Sequence, residues 1–136
     1  MPLSMTLDLG PMPDLDAART EAMTALGDYV VSELREQWYA ARQWVYRGLK
    51  PRPTYSPATE EWVARLTRTG LIVENSAVSR RGRRKPYVGY VHLAGTPRSD
   101  TLLKRVQRDA VPEWREEGAR MLVDAVIAQW QEARRG

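Results

Sequence analysis

LDAARTEAMTALGDYVVSELREQWYAARQWVYRGL, residues 15–49, carries the longest periodic pattern in the chain. Its apolar residues recur at steps of three or four, the spacing of one buried stripe on an α-helix. They are Met23, Leu26, Val30, Leu34, Trp38, Ala41, Val45 and Leu49. Asp14 or Asp16 is suited to cap the start, and no proline follows before Pro51. The pattern therefore predicts a long N-terminal helix.

The predicted length of this helix bears on assembly. If unbroken over residues 15–49, it measures about 52 Å at ~1.5 Å per residue. A compact chain of this size has a radius of gyration of only ~14 Å. The helix must therefore kink or extend beyond its own core, and a protruding amphipathic helix usually packs against a neighbouring subunit.

The middle of the chain predicts a short helix followed by a hairpin. A proline-rich linker over residues 50–57 leads into a helix with Ser56 as its cap, an apolar face that includes Trp62 and an end near Gly70. Residues 71–79 and 87–93 are rich in β-branched and aromatic types and predict two strands. They form a hairpin that helix packing or sheet continuation across subunits would stabilise, since an isolated hairpin is marginal in water.

The last third predicts one helical region, capped by Ser99 or Asp100, kinked near Pro112 and ending in cations. Its apolar residues are Leu103, Val106, Ala110, Trp114, Leu122, Val126 and Trp130, with Val111, Val123 and Ile127 beside them. We therefore expect an α+β fold: a long N-terminal helix, a short helix, a small antiparallel β-hairpin and a kinked C-terminal helix. Residues 1–13 are expected to be a flexible arm, and residues 14–136 a single α+β domain.

The positive charge is concentrated in one segment between the predicted strands. Residues 79–86, SRRGRRKP, contain Arg80, Arg81, Arg83, Arg84 and Lys85. The formal net charge is +4, from 21 Lys/Arg and 17 Asp/Glu. Without these five residues, 16 cations oppose 17 anions and the net charge is −1. A local concentration of this kind is typical of contact with a polyanion or an acidic protein surface.

Three interpretations of this basic hairpin tip remain open. It is a solvated loop without a partner, a contact for nucleic-acid phosphates, or a docking element for an acidic protein surface. Tyr87 and Tyr90 follow the tip and are able to stack on bases.

Residues that carry catalysis are sparse. The chain has no cysteine and one histidine, His92, with no nucleophile or orienting acid adjacent in sequence. The paired acids Glu60-Glu61 and Glu116-Glu117 are expected to be solvated, because adjacent helical residues face different directions. No metal-ligand spacing or glycine-rich phosphate loop is visible. We therefore expect no enzyme and no cofactor, with a small enzyme built on His92 as a minor alternative.

Two short motifs accompany this order of elements. Thr69-Gly70-Leu71 precedes a strand with Ser76, and residues 87–96 read YVGYVHLAGT. With the flanking helices, they resemble the small head–tail joining or tail-completion proteins of long-tailed bacteriophages over residues 15–130. In that family a Thr-Gly-x-Leu segment opens the sheet, and a Tyr-Ala-x-Tyr-Val-Glu-x-Gly-Thr-like strand closes the hairpin. Ser76 lies further from the Thr-Gly pair than in the family, His92 replaces a common acidic residue, and Leu93-Ala94 replace the usual aromatic residue.

The resemblance implies a structural virion protein that forms a homo-oligomeric ring at the head–tail junction, as a neck, tail-completion or tail-terminator subunit. Its implied partners are copies of itself, the portal or adaptor protein, tail-tube proteins and double-stranded DNA in the channel. The implied location is the virion, after assembly in the host cytoplasm. No apolar run approaches the ~20 residues of a membrane span, so no membrane partner is expected.

The alternative function is a stand-alone nucleic-acid-binding protein that uses the basic hairpin tip. A dedicated DNA binder usually carries cations along a whole face. The near-neutral remainder of the chain therefore favours the assembly interpretation.

Overall fold

A computed structural model describes residues 4, 11–41, 57–78, 88–90 and 100–135. The elements are helix α1 (Leu15–Ala40), helix α2 (Pro57–Glu60), strands β1 (Trp62–Leu66) and β2 (Leu71–Asn75), a 3₁₀ turn (Val88–Tyr90), helix α3 (Leu102–Arg105), a π-helical segment (Val106–Ala110) and helix α4 (Val111–Arg135). The predicted α+β class is confirmed, with the long N-terminal helix, a two-stranded antiparallel sheet and a long C-terminal helical region. None of the helices in the described ranges combines the length and apolarity needed to cross a bilayer.

Helix α1 begins as the sequence predicts and ends earlier. Asp14 caps it, with its carboxylate accepting a hydrogen bond from the Ala17 N–H at 3.0 Å. The helix ends at Ala40, because Ala41 is buried and adopts extended backbone angles, φ −60° and ψ 136°. Of the two alternatives, the helix is therefore interrupted at Ala41 rather than continuous to residue 49, and residues 42–49 lie outside the described residues.

The sheet pairs a different set of strands from the one predicted. Strand β1 pairs antiparallel with β2, with Trp62 opposite Asn75 and Leu66 opposite Leu71. The short helix is confined to Pro57–Glu60, because Trp62 and Ala64 alternate with exposed residues and pack in the core as parts of a strand instead of a helical stripe. A single strand over residues 87–93 is also wrong, since Val88–Tyr90 forms a 3₁₀ turn. The rest of that segment lies outside the described residues.

The core surrounds α1, which lies between the sheet and α4. Trp38 is fully buried, and its ring meets that of Trp62 edge-on with centroids 4.8 Å apart. On another face of α1, Ala18 and Ala22 cluster with Ala125 of α4. Early residues of α1 thus meet late residues of α4, so the two long helices are antiparallel.

The C-terminal helical region is interrupted where Pro112 was predicted to kink it. Thr101, rather than Ser99 or Asp100, caps the region by accepting a hydrogen bond from the Lys104 N–H at 3.2 Å. The π-helical segment Val106–Ala110 lies just before Pro112, and the Val111 N–H bonds to the Val106 carbonyl. A π turn changes the hydrogen-bond register, which accommodates a proline that has no N–H to donate.

Candidate interaction surfaces

The residues that the sequence marks as contacts lie outside the described part of the chain. This applies to Arg80, Arg81, Arg83, Arg84 and Lys85. It applies equally to His92, the candidate for the minor enzyme alternative. The described part of the chain presents the surfaces of the helices and of the β1–β2 sheet.

One acid of each predicted pair is held by a neighbouring side chain. Glu117 is hydrogen-bonded and ion-paired to Arg120, while Glu61 accepts a hydrogen bond from the Ser76 hydroxyl at 2.7 Å. Glu116 is exposed. Within the described ranges, no group of three acidic or histidine side chains is arranged to hold a metal ion.

Helix α4 carries a second apolar face that points away from α1. Val123 and Ile127 are exposed to 57% and 48%, and half-buried Trp130 follows at helical spacing. Residues 123, 127 and 130 lie within about 40° of one line at ~100° per residue, and Ala125, which packs on α1, lies on the opposite side. We call residues 116, 120, 123, 127, 130 and 134 the outer stripe of α4, since all six share this line.

Charged side chains flank the apolar part of the outer stripe. Arg120 reaches both Glu117, one turn earlier, and Asp124, at 3.1 Å, so its guanidinium is held in place. The hydrogen bond from Arg120 lowers the pKa of Glu117. At the other end, the Arg134 guanidinium lies over the Trp130 ring, 5.3 Å from its centroid.

The sheet also exposes apolar side chains on the face turned away from α1. Val63 is 59% exposed and Ile72 is 40% exposed. They alternate with Arg65 and Glu74, which form an exposed salt bridge at 3.0 Å. We call these four residues the outer sheet face.

An acidic surface lies beside the contact between α1 and α4. The carboxylate of Glu33 raises the pKa of Tyr29, with smaller contributions from burial and from Glu117 and Glu113. These carboxylates therefore lie near one tyrosine hydroxyl and come from both long helices.

An open apolar groove of about 750 Å³ lies between α1, β2 and the C-terminal helical region. Leu26, Leu71, Leu103 and Trp114 are among its apolar lining residues. Arg115 is the one ionisable side chain among the described residues that line it. The groove thus offers apolar contact area, with a single guanidinium as its charged group.

The sequence analysis did not separate the two faces of α4. Val123 and Ile127 were grouped beside the buried series, although they lie opposite to it on the helix. The signal that separates them is spacing, because residues 123, 127 and 130 follow steps of four and three on their own line. Comparisons with protein families, with characterised proteins and with solved structures found no match to this chain.

Proposed function

We propose that this protein is a non-enzymatic structural subunit that forms a homo-oligomeric ring at the head–tail junction of a long-tailed bacteriophage. The observation that carries the ring proposal is the β1–β2 sheet. It has two strands of five residues each in the described part of the chain, and its outer sheet face leaves Val63 and Ile72 exposed. A sheet of this size gains stability when further strands or subunits cover it.

The two different edges of this sheet are suited to a contact that builds a ring. One edge belongs to β1 and the other to β2, so joining the two edges brings different surfaces together. Such a heterologous contact repeats from copy to copy and closes into a ring when the rotation allows it. Backbone hydrogen bonds between strand edges supply affinity without any special side-chain chemistry.

The assignment to the phage head–tail junction rests on the resemblance of Thr69-Gly70-Leu71 and of residues 87–96 to that family. The concentrated cations of residues 80–85 fit either channel DNA or an acidic neighbouring ring. The portal or adaptor and the tail-tube proteins are the proposed neighbours in the virion.

The test is electron microscopy of the purified full chain, alone and with its portal, adaptor or tail-tube neighbour. We expect rings with the wild-type chain and none with the double variant Val63→Lys/Ile72→Glu. The new lysine lies opposite Glu74 and the new glutamate lies opposite Arg65, so each finds an opposite charge within its own sheet. Charges on a sheet edge oppose pairing between edges, so assembly is lost while the subunit stays folded.

The matched control is Ile127→Glu, which places a charge on the outer stripe of α4. Rings should persist in this variant. Wild-type protein that remains monomeric in all of these mixtures contradicts the proposal, as do rings that persist in the double variant.

A further inference from the structure

We propose that the outer stripe of α4 is a binding surface for α4 of a second copy, with the two helices antiparallel and related by a two-fold axis level with Ala125. This pairing uses a surface different from the outer sheet face and does not rest on the ring proposal. A two-fold contact closes on itself, so it joins two molecules and does not propagate. It defines a soluble pair of subunits, free or carried by another assembly.

The outer stripe of α4 has the residue spacing of a surface that packs against another helix. Val123, Ile127 and Trp130 follow steps of four and three, the spacing of a helix–helix seam. Val123 and Ile127 are exposed by 57% and 48% although α4 already buries its opposite face against α1. A surface helix needs one apolar stripe to join its own core, so the second stripe on α4 is available to a partner.

Charge complementarity selects both the partner and its direction. Along the stripe the charges run from acidic Glu116 through Arg120 to basic Arg134. Two antiparallel copies centred at Ala125 place Glu116 level with Arg134 of the second copy. The same register places Val123 level with Ile127 of the second copy, so apolar residues meet apolar residues. A parallel pair instead aligns Glu116 with Glu116 and Arg134 with Arg134, which is repulsive.

The register places Trp130 level with Arg120 of the second copy. Arg134 of the same chain already lies over the Trp130 ring. Its indole N–H is buried and finds no acceptor among the described residues. In the second copy, hydrogen bonds to Glu117 and Asp124 hold the Arg120 guanidinium in place. The second copy therefore brings a further cation to the Trp130 ring. The indole N–H is covered by its own chain and takes no part in this contact.

The direct test uses disulfide cross-linking, for which the chain is well suited because it has no cysteine of its own. Two single variants, Val123→Cys with an affinity tag and Ile127→Cys without one, are mixed in equal amounts and oxidised. The proposed register makes these two positions neighbours across the interface, so the disulfide between the two different chains should dominate. Predominance of disulfides between identical chains overturns the register, and absence of any disulfide dimer overturns the pairing.

Charge reversal provides an independent measurement. Sedimentation equilibrium in the ring-deficient Val63→Lys/Ile72→Glu background should show a dimer with a micromolar dissociation constant, and the charge variants are made in that background. Glu116→Arg should weaken the dimer about tenfold or more, by placing like charges together twice. Adding Arg134→Glu to that variant should restore it, because the two charges have been exchanged. The matched control in the same background is Arg35→Glu at an exposed site of α1, which should leave the dimer unchanged, while circular dichroism verifies that each variant folds.

A ring-deficient background that stays monomeric, or a double charge exchange that dissociates as readily as Glu116→Arg, overturns the proposal. Loss of rings in the sheet variant with an intact α4 dimer separates the two proposals, as does loss of the dimer with rings intact.

Discussion

At the scale of single residues, Gly27 sets how closely the sheet approaches α1. A Cβ at this position would lie 3.0 Å from the Ala64 Cβ and 3.4 Å from Leu71 Cδ1. The Ala64 Cβ is attached directly to the backbone of β1, so it moves only if the strand moves. Glycine, one of the weaker helix formers, is therefore placed in the middle of α1 for a packing reason.

Gly27→Val should lower the free energy of unfolding by about 2–3 kcal/mol, because the added methyl groups push β1 away from α1. Urea denaturation followed by tryptophan fluorescence measures the change. The control is Gly27→Ala in an Ala64→Gly background, where space exists and the better helix former should add about 1 kcal/mol. An unchanged urea midpoint for Gly27→Val contradicts this account of the close approach.

The two ends of α1 show which structural features can be predicted from single residues of the sequence. Asp14 was recognised from sequence because its side chain acts within one turn of its own backbone. The end of α1 at Ala40 has no such signal, since no proline or glycine occurs between Ala41 and Gly48. The helix ends where Ala41 enters the core in an extended conformation, and that cause lies in distant parts of the chain.

At the scale of elements, Arg19 joins the start of α1 to the β1–β2 turn. Its guanidinium donates to the Thr67 carbonyl at 2.9 Å and to the Arg68 carbonyl at 3.1 Å. The turn is closed by a hydrogen bond from the Thr67 N–H to the Gly70 carbonyl at 2.8 Å. Arg19 thus fixes the end of the sheet that carries the β1–β2 turn, while the contact between Trp38 and Trp62 fixes the opposite end.

Arg19→Ala should reduce the free energy of unfolding by about 1–2 kcal/mol, since two hydrogen bonds from a charged donor are lost at a partly exposed site. Amide hydrogen exchange should accelerate most at residues 66–71, around the released turn. Arg35→Ala, an exposed arginine further along α1, is the control and should leave that exchange pattern unchanged. Uniform acceleration across the whole chain in Arg19→Ala speaks against a local clamp.

The strand β1 shows why element assignment from sequence failed in one place. Pro57, the acidic pair at residues 60 and 61, and Trp62 with Leu66 are consistent with a short amphipathic helix. The strand forms because Ala64 fits against Gly27 while the backbone pairs with β2. These are long-range contacts, which override local propensity. The long helices were predicted well because many repeats of one period define them.

At the scale of the whole molecule, charge is divided between segments. The cations at residues 80–85 leave a near-neutral remainder, and the contact between α1 and α4 carries the carboxylates around Tyr29. The sequence located the basic segment directly, because composition alone reveals it. The outer stripe of α4 needed the fold, because only the packing on α1 identifies which of two apolar stripes remains exposed.

Replacing Arg80, Arg81, Arg83 and Arg84 with glutamine should abolish binding to double-stranded DNA and leave ring assembly unchanged. If all five cations of the wild type contact phosphates, the log–log dependence of affinity on salt has a slope of about −4.5, from ~0.9 per phosphate. Fluorescence anisotropy with labelled duplexes at several salt concentrations measures both quantities. The matched control is glutamine at Arg35 and Arg115, exposed arginines of α1 and α4, which should retain the slope. Equal loss of DNA binding in that control indicates diffuse attraction instead.

Leu26, the residue before Gly27 in α1, takes part in a second close approach, to helix α4. A Cβ on Gly118 of α4 would lie 2.7 Å from Leu26 Cδ2, so the sheet and α4 both approach α1 closely at this level. Evolutionary change at residues 27 and 64 is therefore constrained jointly. A bulkier residue at 27 needs a smaller residue at 64 or a shift of β1, whereas one at 118 first meets the end of the Leu26 side chain. The order of substitutions at 27 and 64 therefore decides which descendants fold.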